Sequence, residues 1–180
     1  NKIANDLRLL ASGPRNGLGE IEQPDNQPGS SIMPGKINPV VAEAVNQVHK
    51  QVVGNDAAVA AGAAEGQIDL NLYKPVIAHN FLQSTELLSN AAEVFAERFV
   101  AKLEANEDVC EEQVERSMAL ATALNPTIGY DKASEVAKAA LREGKTVREV
   151  VVEKGYLTES EADEVLDPES MTHRGILGDE

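Results

Sequence analysis

At 180 residues the chain has room for one domain, or for a helical layer with a small appendage. Thirty Asp and Glu against 16 Lys and Arg give a formal charge of −14, which argues against a nucleic-acid surface and repels anionic ligands at long range. That charge suits either a salt-screened setting or an ordinary acidic bacterial protein. A single cysteine, Cys110, excludes an internal disulfide and a thiolate metal cluster, and reads as a structural, half-buried thiol. No apolar run is long enough to span a bilayer and no signal peptide is apparent, so a cytoplasmic chain with no membrane or nucleic-acid partner is expected. The chain opens without Met, inside a helical pattern, and reads as a piece whose front half is absent.

In chain order, residues 1–11 place Ile3, Leu7 and Leu10 on one helical face, and Ser12-Gly13-Pro14 ends the helix. Residues 13–29 are rich in Gly, Pro, Asn and Gln, with a short extended piece predicted at Leu18-Gly19-Glu20-Ile21 and turns over Pro24-Asp25-Asn26-Gln27-Pro28. A loop of small and polar residues follows, Gly29-Ser30-Ser31-Ile32-Met33-Pro34-Gly35-Lys36-Ile37-Asn38-Pro39. Asn38 is a good N-cap and Pro39 suits a first helical position. The loop therefore leads to a helix N-terminus that favours an anion, and Lys36 adds a full positive charge. Physically this is a site for a carboxylate or phosphate with a serine at hand. The alternative is a plain connection capped by Asn38. The loop is neither a Walker loop nor a G-x-S-x-G elbow.

Residues 39–64 form a long Ala/Val-rich helix. Val41, Ala44, Val45, Val48, Val52, Ala57, Val59 and Ala60 leave so little polar surface that burial on most sides is expected, within a bundle shared between subunits. Glu65 to Tyr73 breaks the period, and the alternation of Ile68, Leu70 and Leu72 predicts a short extended link. Lys74-Pro75 opens a second long helix running to about residue 104, packed antiparallel on the first. Beyond Ala105 helices become short and acidic: Glu107–Ala121, then Tyr130–Glu143 ending at Gly144, Val147–Lys154 closed by Gly155, and a last helix opened by the capping box Thr158-Glu159-Ser160-Glu161. The predicted fold is all-α. A bundle part over 1–104 holds the loop 29–38, a small helical domain covers 105–170, and 171–180 is a disordered tail.

The eleven residues Gly29 to Pro39, extended by Val40-Val41-Ala42-Glu43, closely resemble the signature of the fumarase/aspartase superfamily. Asn125-Pro126-Thr127-Ile128-Gly129-Tyr130-Asp131-Lys132-Ala133 and Gly155-Tyr156-Leu157-Thr158 resemble the C-terminal domain of class II fumarases. The resemblance implies a lyase that reversibly eliminates water, ammonia or a larger amine from a succinyl-type substrate to form fumarate. It also implies a homotetramer and a place in the tricarboxylic acid cycle; with no H-E-x-x-H, no EF-hand loop and no Cys cluster in the sequence, no essential metal and no cofactor are expected. By position in the motif, Ser30 corresponds to the catalytic base. Ser31, Lys36, Asn38 and, through its backbone, Ile37 correspond to ligands of the substrate carboxylate. Glu43 corresponds to a carboxylate that orients the acid-side histidine, itself carried by a segment upstream of this chain. A first-turn Glu serving the helix dipole is the alternative for Glu43, and capping in the empty state the alternative for Asn38. His49 and His79 read as core or interface residues, His173 as solvated, and Tyr130 and Asp131 as structural.

Within the enzyme class, Glu43-Ala44-Val45-Asn46-Gln47-Val48 leans toward aspartate ammonia-lyases. Gly155 to Thr158 and Asp167-Pro168-Glu169-Ser170-Met171 lean toward class II fumarases, a longer agreement that favours fumarate and malate as the substrate pair. A non-catalytic helical oligomerisation unit is the alternative of another class. Family active sites draw on several chain regions, two of which are missing here, so this piece alone is expected to have no turnover.

Overall fold

The computed structural model of the chain describes residues 1–13 and 15–173. Eight α-helices carry most of them: α1 Lys2–Leu10, α2 Val40–Ala64, α3 Lys74–Arg98, α4 Glu107–Glu115, α5 Asn125–Ile128, α6 Tyr130–Glu143, α7 Val147–Glu153 and α8 Glu159–Val165. The fold is all-α as expected, apart from two short antiparallel strands, β1 Ile21–Glu22 and β2 Glu104–Ala105, with Ile21 opposite Ala105. Two compact units divide at Asn106/Glu107.

In the first unit α2 and α3 run antiparallel: Gly62 faces Tyr73 and Ile77, while Asn55 reaches Asn80, Gln83 and Ser84. A Cβ on Gly62 would come within 3.1 Å of Ile77 Cγ1, so a small residue is what lets the helices approach there. Asn71 stitches the two ends, donating to the Gly62 carbonyl at 2.9 Å and accepting from the Tyr73 N–H at 2.7 Å. The expected extended link between them is instead a tight turn, bridged Gln67 to Leu70, with Ile68 at φ +55°.

Asn55 is only 3% exposed. Its amide donates to Gln83 Oε1 (2.9 Å) and Ser84 Oγ (3.0 Å), and its oxygen accepts from Gln51 (2.9 Å). Asn55→Ala removes three hydrogen bonds from half-buried and exposed partners, Gln83, Ser84 and Gln51, at a cost of about 1 kcal/mol. A matching drop in the denaturant midpoint of the intact chain is expected.

Several elements depart from the sequence pattern. Ile3 is exposed and Ala4 is the buried residue of α1, packed with Ala42 and Phe99. Helix α1 is short and tilts its Ala4–Leu7 side inward, so the apolar period over-counted Ile3. Helix α2 begins at Val40, with Pro39 at the N-cap position and no side-chain cap. The Asn38 amide is drawn away to the Gly29 carbonyl, so Asn38 does not cap. Within this chain α2 buries only Ala42, Asn46, Asn55 and Gly62, and α3 buries nothing. A two-helix layer covers one face of each helix, which is why burial on most sides is not met here. Helix α3 stops at Arg98, before a 3-10 turn Val100–Lys102 and strand β2. Phe99, stacked on Phe95 at 5.4 Å, drops into the core and breaks the helical run.

The second unit has the larger core, built around Leu124, Val136, Val147, Val150, Val151 and Leu166. Helix α4 ends at Glu115 rather than Ala121 because Ser117 caps a separate 3-10 helix, Met118–Leu124, accepting from the Ala119 N–H at 3.2 Å. Helix α6 runs Tyr130–Glu143 and ends at Gly144, in the left-handed region at φ +68°. Helices α7 and α8 each open on a reciprocal capping box, Thr146 with Glu149 and Thr158 with Glu161. Helix α7 stops one residue short of the expected Lys154, which is its C-cap. Ser170–Thr172 form a 3-10 turn with Met171 against the core, so the tail expected from 171 is ordered at its start. Residues 174–180 lie outside the described residues.

Surface ion pairs make a small contribution to the pH response of this unit. Lys154 and the Tyr156 hydroxyl both donate to Glu135, at 2.7 and 2.8 Å, and hold its carboxyl below the ordinary value of 4.5. The Thr158 backbone N–H, then its hydroxyl, does the same for Glu161. Such depressed carboxyls stabilise the fold above pH 4.5, and that contribution is lost as the pH falls through their folded values. Lys154 is shifted above 10.5 by its bond to Glu135, and Lys145 by its bond to Glu153. Their contribution is complete below pH 10.5 and lost as the pH rises beyond it. A melting profile that is flat around neutrality and falls at both ends is expected. Glu135→Gln should lower the neutral midpoint slightly and flatten both flanks by the same small amount, since what the flanks lose is what the pair contributes at neutrality and exposed pairs contribute little.

Candidate active site

The loop from Gly29 to Asn38 is a hairpin. Pro28 bridges Ile37 antiparallel, and the Gly29 N–H donates to the Lys36 carbonyl at 2.8 Å. Asn38 Nδ2 ties the base by donating to the Gly29 carbonyl at 3.1 Å. Gly29 has no room for a side chain: a Cβ would lie 2.6 Å from the Lys36 carbonyl oxygen and 3.0 Å from the Asn38 nitrogen. At the tip, Gly35 sits at φ +76°, which a side-chain-bearing residue adopts only with strain.

Inside the hairpin Ser30 is half-buried, and its Oγ accepts two backbone N–H groups, from Ile32 at 3.1 Å and Met33 at 3.0 Å. Two donors fixed on one hydroxyl oxygen favour its ionised form over its neutral one. The Ile32 side chain points outward, 86% exposed. Ser31, Lys36 and Ile37 are exposed, and Lys36 enters no ion pair among the described residues. The hairpin thus carries a polarised oxygen and, six residues on, an ammonium group open to an incoming anion. Asn38, half-buried, still has a second amide hydrogen to offer.

Glu43 lies in the first turn of α2, and its Oε1 is 3.6 Å from Arg8 Nη2 of α1. Arg8 Nη1 donates to Asn46 Oδ1 at 3.1 Å, and Asn46 in turn donates to Asn1 Oδ1 at 2.9 Å. Sequence reading singled out Glu43 but passed over Arg8 and Asn46, which sit in helical segments with no spacing signal to set them apart. The loop glycines lead one to expect backbone N–H groups aimed inward at the serine oxygen, but which ones, Ile32 and Met33, leaves no trace in residue identity.

The remaining candidates fall elsewhere. His49 is half-buried and lines an open groove of about 260 Å³ with Val48, Val52, Leu88 and Phe95, too apolar to hold a dicarboxylate. His79, Tyr130 and His173 are exposed, and Cys110 is half-buried. Among the described residues no group of three His, Cys, Asp or Glu side chains is placed to hold a metal ion, and no helix is long and apolar enough to cross a membrane.

Comparison with known proteins agrees with this picture at both ends of the chain. A family described as Lyase matches residues 1–54, taking in the hairpin and Glu43, and one described as Fumarase C C-terminus matches residues 120–173. The class II fumarate hydratase of Halobacterium salinarum is 87% identical over 94% of this chain, and that of Bacillus cereus 54% identical over 94%. The chain spans 36% and 37% of the lengths of these two relatives. Among solved structures, fumarate lyase:delta crystallin from Brucella melitensis bound to cobalt superposes with a TM-score of 0.90 at 54% identity, covering 96% of this chain and 37% of that one. Class II fumarase from Schistosoma mansoni does so at 0.88 and 40% identity, covering 94% and 36%. The resemblance carried by the hairpin therefore extends along nearly the whole sequence and its fold, and the chain belongs to the fumarase/aspartase superfamily, most similar to the class II fumarate hydratases.

Proposed function

We propose that the hairpin Gly29–Asn38 is the catalytic loop of a lyase that interconverts malate and fumarate. The observation that carries this reading is the Ser30 oxygen held by the Ile32 and Met33 N–H groups. Elimination of water from malate requires removal of a weakly acidic proton beside a carboxylate. A serine hydroxyl is a poor base unless its alkoxide is stabilised, and two fixed N–H donors, the nearby Lys36 charge and exclusion of water by a bound substrate all act in that direction. Lys36 would bind a substrate carboxylate by a charge-assisted contact, with Ser31, Asn38 and the Ile37 backbone completing the cradle. Glu43 would orient the acid-side histidine contributed by a region outside this chain.

The class II fumarate hydratase relatives favour water over ammonia as the leaving group. In a protein extended to the relatives' length, fumarate absorbance at the expense of malate is the expected result; turnover with aspartate alone would assign an ammonia-lyase. The 180-residue chain by itself should show none with either. The largely uncovered faces of α2 and α3 support assembly with further copies, a homotetramer in the extended protein. Catalytic turnover by that assembly separates an enzyme from a purely structural helical unit.

A further inference from the structure

We propose that Arg8 is a positioning residue for Glu43, holding its carboxylate through the Nε–Nη2 edge of the guanidinium; this rests on the reading of Glu43 given above. The Arg8 side chain is anchored from the far side. Nη1 donates to Oδ1 of Asn46 at 3.1 Å and approaches Asn5 Oδ1 at 3.4 Å. Asn46, 6% exposed, is itself pinned by Asn1. These contacts use Nη1 and leave Nη2 and Nε for another partner. Nη2 is 3.6 Å from Glu43 Oε1, outside hydrogen-bond range, while Nε is buried with no acceptor. A buried donor without a mate is costly, and water does not reach this one, so its acceptor must come from the protein. The group already beside the same edge is the Glu43 carboxylate. A two-oxygen acceptor matches an Nε–Nη2 fork, and a small shift of the Glu43 side chain turns one long contact into two parallel ones. Arg8 would then fix the direction in which Glu43 presents its outer oxygen to the acid-side group. Arg8 has no contact with Ser30 or Lys36 among the described hydrogen bonds, so it acts through Glu43 and not on the substrate.

The test is a double-mutant cycle on malate turnover in the protein extended to the relatives' length. Arg8→Met is expected to lower kcat about tenfold or more with KM within twofold, because an interaction that serves only the transition state moves kcat and not ground-state binding. Arg8→Lys keeps the charge but not the fork and should recover only a small part. The deciding readout is Arg8→Met on a Glu43→Gln background, where it should cost nothing further. Additive losses in kcat, or an Arg8→Lys enzyme indistinguishable from the parent, would overturn the proposal. If Arg8→Met does not fold, Arg8→Lys alone and with Glu43→Gln gives the same comparison. Full activity of Ser30→Ala would instead defeat the catalytic-loop reading, and leaves a signature distinct from failure at Arg8.

Discussion

Ser30→Ala, in the protein extended to its relatives' length, is expected to reduce malate turnover by about 10²–10⁴-fold, the range that a positioned proton-transfer group contributes. The substitution deletes one oxygen from a half-buried site on a surface hairpin. The Ile32 and Met33 N–H groups that it accepts are in an exposed stretch and can turn to water. Stability should therefore change by no more than about 0.5 kcal/mol, and KM should stay close to the parent value because the Lys36 charge is untouched. Steady-state fumarate absorbance with a thermal melt on the same sample checks both halves. Near-normal turnover would remove Ser30 from the role of base and leave the two N–H donors as ordinary turn geometry.

The second large effect is at Gly29. Gly29→Ala puts a methyl group 2.6 Å from the Lys36 carbonyl oxygen and 3.0 Å from the Asn38 nitrogen. Both are backbone atoms, and neither can rotate away. The hairpin base must open, which breaks the Gly29 N–H to Lys36 bond and the Asn38 amide to Gly29 bond together. Lys36 and Asn38 then lose their placement relative to Ser30. A displacement of about 1 Å in a reacting constellation costs on the order of 10²-fold in rate, and at least that loss is expected in kcat/KM with helical content unchanged. Gly35→Ala is the control. A Cβ there meets nothing within 4 Å, so only the φ of +76° opposes it, at about 1–2 kcal/mol. A loss no greater than about thirtyfold should follow. Equal losses at the two glycines would show that backbone strain, and not the close approach at Gly29, governs the loop.

The candidate site was legible to different depths. Ser30, Lys36 and Asn38 stand out because they lie in an unusual eleven-residue run, and Glu43 only because the resemblance continues past it through Val40-Val41-Ala42-Glu43. Capping, the alternative for Asn38, fails because its type favours both a helix start and a loop tie. Which of the two it makes depends on whether a carbonyl, here that of Gly29, comes within reach. Ile68 at positive φ and the break of α3 at Phe99 were equally hidden. Each is imposed by where the next segment must go, against the local preference of the residue.

Composition and period sufficed for the all-α class, the span of α6 to its Gly144 stop and the capping box at Thr158, since caps and stops are set by residues within a few positions of one another. The local turn of the hairpin brings the Ile32 and Met33 N–H groups onto the Ser30 oxygen. Tertiary structure alone brought Arg8 beside Glu43, from 35 residues away. Which backbone donors serve is not written in residue identity, and a contact between α1 and α2 exists only once the chain has turned back on itself, so neither can be read from a linear pattern.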